Sequence, residues 1–277
     1  MKRIILICTL LLSVVACFAQ KKEKIKGSKI VTLTIKDLES FQNVEVEDNL
    51  EVYFVKAEKT SLEIEADDNL HDAVSYNVLG NTLKISALKE VSSAKKFAVR
   101  INYNDSLKTI TGRNESKLHA LAELTLEDIT VKNFDKSQSF LNVKAEKFTL
   151  QLTDKAEAEI NVKADNSTIE LTKDAELKAL INSSNAKIDL YQKGNAEIEG
   201  DAQSAKIRLD NNAQLTARKF TVKDIDLTTE SYTKASVNAT KTIAISASGK
   251  SEIELLGEPK VDLRIFTQSA ILYKKEK

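Results

Sequence analysis

Through the C-terminal half of the chain an apolar residue returns every 18 or 19 positions. Leu152, Leu171, Leu190, Leu209, Leu227, Ile245 and Leu263 are separated by steps of 19, 19, 19, 18, 18 and 18. Two residues before each stands another apolar side chain: Leu150, Ile169, Ile188, Ile207, Ile225, Ile243 and Val261. A fixed period near 20 is the mark of equal coils stacked so that each covers the apolar face of the last. The apolar-x-apolar spacing within a coil has period 2, so the coils are made of strand. The pattern therefore predicts an all-β fold, a parallel β-solenoid with 18–19-residue coils. It should be right-handed, because parallel crossovers strongly prefer that hand.

Four residues after each anchor comes a small residue: Ala156, Ala175, Gly194, Ala213, Ser231, Gly249 or Thr267. This column reads as a corner, where large inward side chains have no room. A second inward strand follows, and in four successive coils its two core positions hold Ala158/Ile160, Leu177/Ala179, Ala196/Ile198 and Leu215/Ala217. The large residue swaps place from coil to coil, which keeps local volume constant while neighbouring coils interdigitate. In the last three coils the same reading assigns Thr233/Ala235, Ser251/Ile253 and Ser269/Ile271. Outward positions are Lys, Glu, Asp, Thr and Asn, which accounts for 30% charged beside 42% apolar residues in strands with one face in and one out.

The front half obeys the same alternation less regularly. Strands are expected over 41–54, 62–70, 83–88 and 97–103, broken by Asp-Asn or Gly-Asn turns. Val46, Ile64 and Ile85 are spaced by 18 and 21, and Ile110 and Val131 lead on to Leu152. This predicts one continuous domain over residues 41–275, with regular coils over 148–275 and an irregular β cap over 28–104.

Residues 1–20 combine a basic start at Lys2 and Arg3, an apolar run over 4–16 and small residues after it. That is a secretory signal peptide, and its run is shorter than the roughly 20 residues a spanning helix needs. Cleavage after Ala19 is favoured, giving a signal peptide over 1–19 and a linker with first strand over 20–40. The alternative is a lipobox over Val14-Val15-Ala16-Cys17, which would make Cys17 a site of lipidation and a lipid anchor. Cys8 and Cys17 are the only cysteines, so the folded part holds no disulfide despite a permissive compartment. Lys plus Arg and Asp plus Glu both number 41, with a pI near 6.8. Such a balance supplies no basic field and argues against nucleic acid as a partner.

Chemistry-bearing clusters are few. Asp67, Asp68 and Asp72 flank His71 and could hold a cation, but the loop glycine and bidentate Glu of an EF-hand are missing, and a strand-to-strand turn explains them. His71 and His119 are the only histidines and lack spaced metal partners. Nucleophile-elbow, zincin, P-loop and dinucleotide motifs do not occur. Asp189, Arg208 and Asp226 fall at equivalent outward positions, and a salt-bridge ladder explains them better than a polysaccharide-cleaving site. The expectation is no enzyme, no cofactor and no metal. Tyr191, Tyr232 and Tyr273 are the exposed-looking aromatic residues, and Tyr191 and Tyr232 are the candidate surface-binding residues.

Three motifs then carry a resemblance: Phe41-x-x-Val44-x-Val46, Leu62-x-Ile64-x-Ala66-Asp67-x-Asn69-Leu70, and Ser248-Gly249-Lys250-Ser251. The chain is similar over residues 40–275 to the auto-transporter adhesin, head GIN-domain family. That resemblance implies an exported protein of the periplasm, outer membrane or cell surface of a Gram-negative bacterium, with a β-helical fold and no assigned activity. The expected function is a non-catalytic, adhesin-like module with weak contacts to an envelope or host glycan or protein; the alternative is a structural envelope spacer. With seven glycines in 277 residues, most corners must use Ala, Asn or Ser, and Asn tolerates left-handed backbone.

Overall fold

The computed structural model describes residues 22–120 and 122–276. It is 68% strand, wound into a β-solenoid of about nine turns. Each regular coil is one 15-residue strand, as in Gln138–Leu152, Glu157–Leu171, Glu176–Leu190 and Asn195–Leu209, followed by a four-residue turn. Every long strand bends once in its middle. Glu146, Asp165, Ser184 and Gln203 are skipped in the parallel ladder, which splits each strand into two segments lying in two different sheets. The first sheet takes residues such as 138–145, the second residues such as 147–152.

The turn supplies the other corner. Its second residue has left-handed backbone in coil after coil: Asn114, Asp135, Asp154, Lys173, Gln192, Asn211, Ser231, Gly249 and Gln268, with φ between 58° and 73°. Only one of these is glycine. Turn backbones also bond from coil to coil, as when Lys155 N donates to Asp135 O and Lys193 N to Lys173 O, which pairs corner amides and carbonyls that would otherwise lack a partner. The fourth turn residue points inward and is small and buried: Ala156, Ala175, Gly194, Ala213, Thr233 and Ser251.

The expected register holds for four coils and then slips. Leu152, Leu171, Leu190 and Leu209 stack directly, and so do the alternating Ala/Ile and Leu/Ala pairs. Below Leu209, however, lies Thr229, while Leu227 sits under Ile207. The step there is 20 residues, not 18. The cause is a bulge over Ala217–Phe220 that faces Gly200. Gly200 has φ +109° and its backbone lies so close to Ile181 that a Cβ would meet Ile181 O at 2.2 Å. Phe220 pairs with Gly200 in the ladder and is buried, filling volume the glycine leaves empty. Ser231, Gly249 and Thr267 are therefore turn residues ahead of the buried corner column, and the inward pairs of the last coils are Ala235/Val237 and Ile253/Leu255. Upstream, Ile110 and Val131 stack with Leu150, and the column of Leu152 continues through Asn133 and Gly112. Buried Asn133 is satisfied there by Ser137 Oγ at 3.0 Å and by the Ser139 hydroxyl, which donates to it at 2.7 Å.

The N-terminal end departs from a simple coil. Strands Asn43–Glu47 and Glu51–Lys56 form one coil in parallel register with the solenoid. The chain then leaves, and Ser61–Asp67 lies antiparallel between Val31–Asp37 and Phe97–Tyr103, closing that end of the first sheet. Val74–Leu79 turns antiparallel onto Thr82–Ala87 to close the second. Ile64 is thus opposite Val99, on the sheet that does not hold Val46 and Ile85, so those three residues are not successive coil anchors. Cap and coils share one hydrophobic core. At the other end Val261, Leu263 and Phe266 are 39–51% exposed, since no further coil covers them.

Candidate functional site

Solvent-facing positions of the first sheet stack in straight columns because the parallel ladder is in register. In one column Arg100, Tyr53, His119, Phe140, Glu159, Lys178 and Glu197 follow one another across seven strands. Strand-to-strand spacing of about 4.8 Å suits stacked rings. Tyr53 and His119 have centroids 5.0 Å apart at 20°, and His119 and Phe140 5.0 Å apart at 11°. The rings cover one another's faces and turn their edges to solvent.

His119 is the centre of this stack. Burial between two rings pushes its pKa below the usual histidine range, although Glu51 pulls the other way. Its Nε2 lies 3.1 Å from Glu51 Oε1, yet off the direction a ring N–H needs, so the nitrogen has no hydrogen-bond partner. Glu51 Oε1 accepts the Tyr53 hydroxyl at 2.8 Å instead. Both effects keep His119 neutral at pH 7, as a packing ring.

Beside the stack, Phe140, Glu159, Lys178, Leu180, Glu197 and Glu199 line part of a shallow, open depression of about 660 Å³. Leu180 is 41% exposed, an apolar patch among charged neighbours. Among the described residues Glu157, Glu159, Glu176 and Glu197 are exposed and have no basic group within 4.0 Å, whereas Glu199 pairs with Lys219 at 2.8 Å. In a chain of zero net charge this sheet carries a local surplus of carboxylate. Chemically it presents acceptor oxygens, aromatic edges and one leucine to a partner lying along the sheet.

The other candidates fall elsewhere. Tyr191 and Tyr232 lie on the turn edge, two coils apart at different turn positions, with Arg208 5.9 Å from the first ring and Lys250 5.2 Å from the second. Tyr232 is 60% exposed, and neither lines the depression. The proposed ladder of Asp189, Arg208 and Asp226 does not form, because the 20-residue step puts Thr228 under Arg208. Asp189 pairs with Lys187 at 2.7 Å, Arg208 with Glu230 at 3.6 Å and Asp226 with Arg264 at 3.3 Å.

Asp67 serves as a clamp. Its carboxylate accepts the amides of Lys29 at 2.9 Å, Lys95 at 3.1 Å and Lys96 at 3.0 Å. It is sealed from water, though only by the thin cover of those two loops. Burial raises its pKa, but the three amides outweigh this and the net shift is downward. Asp68 accepts the Ser28 hydroxyl. Among the described residues no group of three His, Cys, Asp or Glu side chains is placed to hold a metal. Cys17 lies outside the described residues, and no described helix is long and apolar enough to cross a membrane.

These features define a class: a two-sheet parallel β-solenoid closed at one end by antiparallel strands. The chain belongs to the family described as "Putative auto-transporter adhesin, head GIN domain", whose model matches residues 40–259. A putative adhesin from Parabacteroides distasonis has a similar structure, with a TM-score of 0.67 at 19% identity over 91% of this chain and 100% of the other. A putative adhesin from Parabacteroides merdae gives 0.63 at 17% identity, over 92% and 99%. A protein of P. distasonis described as a putative lipid binding protein gives 0.59 at 15% identity, over 92% and 98%. At these identities the likeness is one of fold. No curated protein matches the chain.

The aromatic stack was invisible to sequence reasoning because its members are 66 and 21 residues apart. Only the ladder through the irregular cap brings Tyr53 against His119. The one available signal was that outward positions of the regular coils otherwise hold polar residues or alanine, which makes Phe140 and Leu180 exceptions.

Proposed function

We propose that this protein is an exported, non-catalytic module of the bacterial envelope that attaches weakly to a surface glycan or protein. The observation that carries the reading is the first-sheet surface, where the Tyr53–His119–Phe140 stack adjoins Leu180 and four unpaired glutamates. A rigid sheet that adds about 4.8 Å per coil suits several weak contacts in a row. The scarcity of exposed Tyr, Trp and Arg anchors argues for low affinity, and the charged character for salt sensitivity. Export is supported by the leader-like residues 1–19, and adhesion by the names of the family and of the P. distasonis and P. merdae proteins.

The test is a glycan and surface-protein array probed at two salt concentrations. Binding should fall about tenfold, equivalent to about 1.4 kcal/mol, for Phe140→Ala with Leu180→Ala, and should weaken with salt. Loss only on replacing Tyr191 and Tyr232 would move the contact surface to the turn edge. A blank array, together with a deletion strain altered only in envelope integrity, would replace binding with the spacer reading.

A further inference from the structure

The two ends of the first sheet are finished in different ways. At the C-terminal end several features discourage strand addition. The edge strand Ile271–Lys274 is only four residues long and ends in Lys274, which is paired to Glu258 at 3.0 Å. Short edge strands and lysines are how natural sheets blunt an edge.

The N-terminal edge strand, Val31–Asp37, is seven residues long and, apart from exposed Lys36, carries no such device. Among the described residues it pairs with Ser61–Asp67 alone, without a bulge. Its pattern is also inverted. Thr32, Thr34 and Lys36 stand opposite Ala66, Ile64 and Leu62, the inward residues of the neighbouring strand, while Leu33 and Ile35 stand on the solvent side opposite Glu65 and Glu63. Leu33 is 55% and Ile35 58% exposed, and Ile30 just before them 61%.

The hydrogen bonding shows which backbone groups are free. Asp68 N donates to Ile30 O at 2.8 Å, and Leu38 N donates to Thr60 O at 3.1 Å. Antiparallel pairs alternate strictly, so the even-numbered residues between them bond inward. The N–H and C=O groups of Val31, Leu33, Ile35 and Asp37 point away from the sheet.

We infer that this edge pairs with a second copy of the chain, antiparallel and about a two-fold axis at Leu33. That register sets Leu33 against its own copy and Ile35 against Val31 twice, joining the exposed leucine and isoleucine side chains into one apolar row. It brings the acidic end of each strand, Asp37, to the basic start of the other, Lys29; among the described residues neither makes an ion pair. All the outward N–H and C=O groups of Val31, Leu33 and Ile35 are then satisfied. A seven-residue contact of this kind gives a concentration-dependent dimer and leaves the first-sheet stack open. Two copies joined this way would present two binding surfaces, which raises avidity, but the dimer does not depend on that role.

The register can be read directly by cross-linking. The chain has no cysteine beyond Cys17, and facing residues of a hydrogen-bonded antiparallel pair have Cα atoms about 5.5 Å apart, within disulfide reach. Leu33→Cys, introduced into the full chain expressed with its own N-terminal segment, should form a covalent dimer under mild oxidation. Ile35→Cys and the unsubstituted chain should not. In parallel, light scattering after size exclusion should show the mass rising toward twice the monomer with concentration.

Leu33→Pro should abolish that rise with little change in melting temperature, because the lost N–H is one that points outward. Thr34→Pro removes an inward bond and should lower the melting temperature, which shows that the assay reports fold as well as association. A wild type that stays monomeric at all concentrations overturns the inference. So does a dimer that survives Leu33→Pro but dissociates on Leu263→Lys, or one captured equally well by both cysteines.

Discussion

Single residues hold this fold together at its least regular points, and Asp67 is the clearest case. Three amides converge on its carboxylate, so removing it strands buried N–H groups. Gly27 is part of the same clamp, since a Cβ there would meet Asp67 Oδ2 at 2.0 Å. Gly27→Ala should therefore loosen the Lys24–Lys26 strand, seen as faster amide exchange over 24–30 and 94–96. The sign of the pH effect follows from the lowered pKa. The carboxylate contributes its full stabilisation above its unfolded pKa of about 3.9 and loses it as pH falls through the lower folded value. Asp67→Asn should melt lower at neutral pH and lose less on acidification than the wild type. Parallel melting curves from about pH 5 down to about pH 2 would contradict this. Gln192 is the converse case, an ordinary residue held at φ 60°. The left-handed penalty of about 1–2 kcal/mol exceeds the entropic cost of glycine, so Gln192→Gly should stabilise by about 0.5–1 kcal/mol in chemical denaturation.

At the scale of elements, the long strands owe their stability to stacking between coils rather than to contacts within one. Leu177 is buried, with Ala158 in the coil before and Ala196 in the coil after. Leu177→Ala should cost about 2–5 kcal/mol, as large-to-small core changes do. The sharper test is the pair Leu177→Ala with Ala179→Leu, which conserves volume within the coil. It would place three alanines in one column and, in the other, an introduced leucine between Ile160 and Ile198, a void beside a crowd. We expect no rescue relative to the single variant, because the two sites couple through their neighbours. Recovery to wild-type stability would show that the alternation is not a packing requirement.

Across the whole molecule, stability should grade along the solenoid axis. Interior coils are covered on both sides, and Leu190 is fully buried; Leu190→Asp puts an unpaired charge in a dry core and should cost several kcal/mol. The last coil is covered on one side only, with Leu263 51% exposed, so Leu263→Ala should cost well under half as much as a Leu→Ala change in the interior. Amide exchange should follow the same order, with residues 260–274 opening first and 157–209 last. Uniform protection from end to end would indicate a single cooperative unit instead. The two sheets also divide the surface. The first carries the aromatic stack, exposed Leu180 and four glutamates outside any ion pair, and binding variants belong there.

Period and alternation alone determined the class of fold, the coil length, and the stacking of Leu152, Leu171, Leu190 and Leu209, because a core repeated every coil must repeat its residue pattern. They pointed as well to Asp67–Asp72 as a join between strands, and the chain there passes from the strand Ser61–Asp67 through a 3-10 turn over Asp68–Ala73. Tertiary structure decided what depends on counting across an irregularity. A bulge opposite Gly200 moved Leu227 off the column of Leu209 and broke the line of Asp189, Arg208 and Asp226; the extra residue is absorbed within Ala217–Phe220, so Ile225, Leu227 and Thr229 beyond it alternate as in any other coil. The excursion through residues 57–103 likewise made antiparallel cap strands out of segments whose alternation is that of a coil. Only after that detour does the ladder set Tyr53 against His119 and Phe140. Sidedness is written in local sequence; which residues become neighbours across a sheet is written in register, and register is set by contacts far apart along the chain.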